Sequence, residues 1–146
     1  MIARRFEAKV ILYSLGGIQF LNGLWITISP TSFYDDFPLG RGWVEALPAY
    51  NEHLMRDVGG LFMATGFLLL VAGVLLERRL ILISLVTWLL FAVPHTVYHL
   101  LNLEPYETGD AIGNALALAA TVVLPLWLLI VAGRDEGPTP SPPPAP

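Results

Sequence analysis

The chain is 146 residues long, 55% hydrophobic and only 14% charged, where a soluble domain carries about 25% charged residues, so much of its apolar surface must face lipid. Its formal charge of -4, with no basic run that would track phosphates, argues against nucleic acid as a partner. The absence of cysteine excludes disulfides, thiolate nucleophiles and iron–sulfur ligation.

Four uncharged runs, residues 10–28, 58–76, 80–103 and 111–133, each approach the roughly 20 residues that cross about 30 Å of hydrocarbon. They are too long for strands and lack period-two alternation. The expectation is an all-α, four-helix transmembrane bundle over residues 1–136, followed by a separate tail.

The first run follows Met1-Ile-Ala-Arg-Arg, so a signal peptide is the competing reading. Gln19 and Asn22 inside the run, and Ser29-Pro30 after it without a small-x-small cleavage pattern, favour a retained helix. The next segment, SPTSFYDDFPLGRGWVEALPAY, reads as an irregular outer loop. Its Phe33, Tyr34, Phe37, Trp43 and Tyr50 suit the headgroup layer as an interfacial anchor, with a lid over a pocket as the alternative. The second and third runs are joined by a very tight turn holding Arg78 and Arg79. Pro94 should bend the third run and free the Leu90 carbonyl, and Pro125 should bend the fourth. Glycines 16, 17, 23, 59, 60, 66, 73 and 113 mark places where helix backbones can approach. Trp25, Trp88 and Trp127 read as lipid-facing or filling residues. The segment 137–146, GPTPSPPPAP, cannot be helical and reads as a disordered cytoplasmic tail.

Basic residues set the orientation. Arg4, Arg5, Lys9, Arg78, Arg79 and Arg134 fall on one side and only Arg41 and Arg56 on the other, which predicts both termini in the cytoplasm (N-in, C-in). The outer side then collects Asp35, Asp36, Glu45, Glu52, Asp57, Glu104, Glu107 and Asp110.

Every span brings polar groups to its outer half. The first offers Gln19 and Asn22, three apart. The second opens with His53 and Asp57, four apart and so on one helix face. The third carries His95 and His99, also four apart, with Tyr98 between them. The fourth starts with Asp110 and has Asn114 one turn deeper. At 1.5 Å per residue His95 lies roughly 22 Å and His99 roughly 28 Å from the inner end at Leu80. Ionisable groups at such depth are costly unless they face the bundle interior and find partners. Arg56 and Asp57 are adjacent, point in different directions, and should take separate partners.

Three chemistries fit. His53, His95, His99 and Asp110, with Asp57 in reach, form a candidate set for a transition metal such as zinc, iron, copper or manganese. One or two histidines suit haem axial ligation, with Arg56 and Asn114 as the cofactor-holding groups. Asp57 and Tyr98 are the catalytic candidates for proton transfer with the histidines on a lipophilic small molecule, in a redox or isomerisation step. The contrasting class is a non-catalytic accessory or scaffold subunit, in a homo-oligomer or a larger membrane complex, whose polar layer only fixes helix packing.

The basic start, a helix ending in Ser-Pro with Phe33 and Phe37 soon after, HLMRDVGGLFMATGFLLLVAG over 53–73, and a third span with His95 together resemble the DoxX-like and related small four-helix bacterial membrane families of unknown function. The Arg56-Asp57-Val58-Gly59 piece is the most specific part. That resemblance implies a four-helix bundle in a bacterial inner membrane and an occasional association with redox enzymes; the missing cysteines depart from any thiol-linked role.

Overall fold

The computed structural model describes residues 2–47 and 49–133, with side chains from Arg5 onward. Arg134 and the expected Pro-rich tail lie outside the described residues. Among the described residues there are five helices and no strand: α1 Ile2–Ile28, α2 Pro30–Asp36, α3 Glu52–Leu75, α4 Arg78–Leu101 and α5 Thr108–Gly133. Four of them, α1, α3, α4 and α5, are long and apolar enough to cross a membrane, which makes the chain a small multi-pass membrane protein built as a four-helix bundle.

Two features depart from the reading of the sequence. Helix α1 starts at Ile2, well before the uncharged run at residue 10, because main-chain hydrogen bonding is indifferent to Arg5, Glu7 and Lys9 when those side chains can reach water. The loop after α1 contains a helix, α2. Pro30 does two jobs there: lacking an N–H it ends α1 and pushes Ser29 out of the helical region, to φ -140 and ψ 74, and with its φ already set it starts α2 at the first position. Phe33 is buried on this helix, stacked on Phe37 at 4.7 Å and edge-on to Trp25 at 5.3 Å.

Helices α1 and α3 run antiparallel with their backbones in contact. A Cβ on Gly16 would stand 2.9 Å from the Gly66 carbonyl oxygen, and one on Gly66 2.6 Å from the Phe20 nitrogen. The N-cap of α3 is Asn51, whose side chain accepts from the Leu54 N–H at 3.1 Å and satisfies one of the free donors of the first turn. At the other end Leu76 turns the chain in the left-handed region, φ 51, directly into α4. Helices α4 and α5 also run antiparallel.

Free carbonyls are met in a repeated way. Arg56 at the start of α3 donates to Thr27 O at the end of α1, 2.7 Å, and Arg78 at the start of α4 donates to Ala132 O at the end of α5, 3.0 Å; each cation sits at the negative pole of its antiparallel neighbour. Within α5, Pro125 has no N–H to give the Thr121 carbonyl four residues back. The Trp88 indole of α4 donates to that carbonyl at 2.7 Å. Trp88 is therefore a buried partner, in contrast to the lipid-facing or filling part expected of it, whereas Trp127 is 54% exposed.

The apolar core lies toward the end bearing Arg5, Lys9, Arg78 and Arg79, here the basic end. It is made of Ala8, Ile11, Leu12 and Leu15 of α1, Leu69 and Ala72 of α3, Ile81, Leu85, Trp88 and Ala92 of α4, and Leu128 of α5. Toward the opposite, acidic end the polar side chains of Gln19, Thr96 and Asn114 are buried along with the apolar Ile26 and Phe33.

Candidate functional site

The polar interior is closed at the acidic end by the chain after α2. Residues 41–47 fold onto the start of α5, where Arg41 pairs with Asp110 and the Trp43 ring packs on Gly113, 3.3 Å from where a Cβ would stand. The Tyr106 hydroxyl donates to Trp43 O at 2.7 Å. The segment is thus strapped to the end of the bundle. Tyr34 holds its far side, donating to Leu47 O at 3.3 Å and meeting the Tyr50 ring at 5.2 Å. Burial pushes the Tyr106 phenol above its ordinary value, the Asn114 side chain pulls the other way, and Tyr98 adds to the rise. Asn114, 3% exposed, is therefore a neighbour of Tyr106 beneath the strap.

The site candidates fall into pairs. His53 and Asp57 meet at 3.3 Å on the outside of α3, the histidine side chain 88% exposed. Arg56 takes Glu52 through two nitrogens, at 2.9 and 2.8 Å, besides Thr27 O; the adjacent Arg56 and Asp57 do have separate partners. Asp110 is held by Arg41. On α4, the rings of His95 and His99 lie 4.5 Å apart, with Phe91 stacked on His95 at 4.9 Å and Tyr98 edge-on to His99 at 6.0 Å. Among the described residues, no three His, Asp or Glu side chains gather round one point, so His53 and Asp110 are not brought to the α4 pair.

Two further buried nitrogens have no hydrogen-bond partner among the described residues: Nδ1 of His99 and Nε2 of Gln19, whose residue is 5% exposed. Trp43 Nε1 is also buried and unbonded, but the Asp110 carboxylate is its neighbour and a small shift would pair them. The sequence marks Gln19 as a polar residue in an apolar span without giving it a part in the site. Nothing local pairs Trp43 with Tyr106, because their contact joins residues 63 apart in the chain.

Comparison with protein families, with curated proteins and with solved structures finds no match to this chain. Its functional reading rests on the arrangement of its own residues.

Proposed function

We propose that the protein lies in a bacterial inner membrane with both termini in the cytoplasm and binds a transition metal ion through His95 and His99 near its outer face. The observation that carries this reading is the histidine pair: two imidazoles one helical turn apart, rings 4.5 Å from each other, neither hydrogen-bonded to a described residue, with one ring nitrogen buried and unmet. An imidazole buried without a partner is unfavourable, and an ion bound at 2.0–2.1 Å, as in zinc–imidazole sites, would relieve both rings at once. Two protein ligands leave coordination positions for water or for an oxygen-bearing lipophilic molecule. Zinc, copper, nickel and iron suit such nitrogen donors.

The ring spacing favours a chelated ion over a haem held by both histidines. Rings 4.5 Å apart on one helix face leave no room for a macrocycle between them. Tyr98 is the phenol beside the pair and the proton donor for any reaction there, while Asp57, paired with His53, belongs to the outer rim. The orientation follows from Arg5, Lys9, Arg78 and Arg79 gathering at one end, and the bacterial setting from the resemblance of residues 53–73 to DoxX-like proteins.

Elemental analysis and absorption spectroscopy of detergent-purified protein test this reading. About one metal ion per chain is expected, with an at least tenfold loss of affinity in both His95→Ala and His99→Ala. A metal-free, colourless protein that does not take up Zn2+, Co2+ or Cu2+, or full metal content in both variants, overturns it.

A second reading, an accessory subunit of a membrane complex, draws on α5. It is the least covered of the four spans, 11% of its most apolar stretch being buried against 39% for α1, and Ala117, Ala119 and Ala120 lie on its exposed side, where another helix could approach closely. Recovery of a stoichiometric partner in mild detergent is the outcome this reading requires.

A further inference from the structure

The strap over the acidic end is fastened unequally on its two sides. Toward α2 it is held by main-chain hydrogen bonds: Gly40 N donates to Asp36 O at 2.6 Å, Trp43 N to Phe37 O at 2.7 Å and Glu45 N to Tyr34 O at 3.1 Å. The Tyr34 hydroxyl adds a bond to Leu47 O at 3.3 Å. Toward α5 the fastenings are of another kind. Among the described residues no main-chain hydrogen bond joins residues 41–47 to α5 or to the connection before it. The contacts there are the Arg41–Asp110 pair, the Tyr106 hydroxyl on Trp43 O, and the Trp43 ring on Gly113.

The two sides differ in strength. The main-chain bonds are lost only when the turn itself unfolds. An ion pair in which one side chain is 57% exposed contributes little, and a single hydroxyl bond shifts an equilibrium by about two- to tenfold. The α5 seam is therefore the weak one. The segment is also bracketed by strain: Leu39 and Ala49 lie in the left-handed region, at φ 53 and φ 45, where a residue with a Cβ is disfavoured. Leu39 is 96% exposed, so no packing of its side chain offsets that cost.

Beneath the seam lies Asn114, 3% exposed. The covers that the structure shows for it are Tyr106 and, at the adjacent Gly113, the Trp43 ring. One turn deeper, Thr96 is 8% exposed and donates toward Leu118 O at 3.5 Å.

We propose that residues 41–47 form a lid that opens at its α5 seam while staying on α2, and that its opening exposes Asn114 to small solutes from the acidic side. The lid is independent of whether the histidine pair holds a metal ion. Its parts are the latch (Arg41, Asp110, Tyr106), the wedge (Trp43) and the strained ends (Leu39, Ala49).

The chain has no cysteine, so Asn114→Cys places a single thiol under the seam of the full chain in detergent, and a small water-soluble maleimide is the probe. Labelling should be slow in that background. It should rise about two- to tenfold with Tyr106→Phe, by a smaller factor with Arg41→Ala, and furthest when both are combined, with little change in melting temperature. Tyr34→Phe removes a hydroxyl from the α2 side, where the main-chain bonds remain, and should leave the rate unchanged. Thr96→Cys carries the same comparison if Asn114→Cys does not fold. Labelling of Asn114→Cys as fast as that of Leu39→Cys overturns the lid, because the position is then open already. So does a rate that neither Tyr106→Phe nor Arg41→Ala alters, or one that Tyr34→Phe raises equally. Equal acceleration at Leu128→Cys in the core also overturns it, since that marks general loosening of the bundle.

Discussion

Gly23 and Gly59 meet across the α1–α3 interface so closely that a Cβ on Gly23 would stand 2.7 Å from the Gly59 carbonyl oxygen and 2.6 Å from the Met63 nitrogen. The obstructing atoms are backbone, so the neighbour cannot rotate aside. The two helices would have to separate.

Gly23→Ala and Gly66→Ala should therefore each destabilise the bundle by about 1–3 kcal/mol, the usual cost of overpacking. Gly17 and Gly60 have open space where a Cβ would go, and alanine there should be neutral or stabilising by up to about 1 kcal/mol. Reversible unfolding in mixed detergent micelles measures all four. Equal losses at Gly60 and Gly23 would refute the close contact as the cause.

The Trp88–Thr121–Pro125 relationship predicts a non-additive pair. Trp88→Phe keeps most of the ring but leaves the Thr121 carbonyl without its 2.7 Å donor, at a cost of about 0.6–2 kcal/mol in a membrane interior. Pro125→Ala restores a main-chain N–H that can serve the same carbonyl. In the Pro125→Ala background, Trp88→Phe should cost measurably less than in the parent, a coupling of at least about 0.5 kcal/mol in a double-mutant cycle. Strict additivity would show that the indole acts by volume alone.

Alkaline pH should loosen the strap. The Tyr106 phenol is raised above its ordinary value of 10.0, chiefly by burial, so the folded protein holds this proton more tightly than the unfolded chain does. Its contribution is complete below pH 10 and is lost as pH rises from there through the higher folded value. Phenolate absorbance should show a late-titrating tyrosine that is missing in Tyr106→Phe, and the alkaline loss of stability should be shallower in that variant. Identical titration curves would place Tyr106 in open solvent.

What the sequence disclosed and what it withheld divide by range. Four spans are legible because some twenty uncharged residues in a row match the thickness of a bilayer's hydrocarbon and far exceed what a strand needs, and the pairs His53–Asp57 and His95–His99 are legible because a spacing of four is fixed by helix geometry. The seven residues of α2 are masked by Pro30, whose breaking signal is easier to see than its starting one. Trp43 on Gly113, Tyr106 on Trp43 and Trp88 on Thr121 join segments far apart in the chain, and no local pattern announces them. For the same reason the sequence offers a common outer layer for His53, Asp57, His95, His99 and Asp110, while the structure divides it: shared depth does not imply shared azimuth around the bundle.

The packing of the apolar core at the basic end has a mechanical consequence. At the basic end Leu12, Leu69, Leu85 and Leu128 pack together, the Ser84 hydroxyl is turned back on its own helix, and the Trp88 indole is already committed. Among the described residues, that core holds no buried, unpaired side-chain nitrogen or oxygen that could guide water or an ion across the basic half.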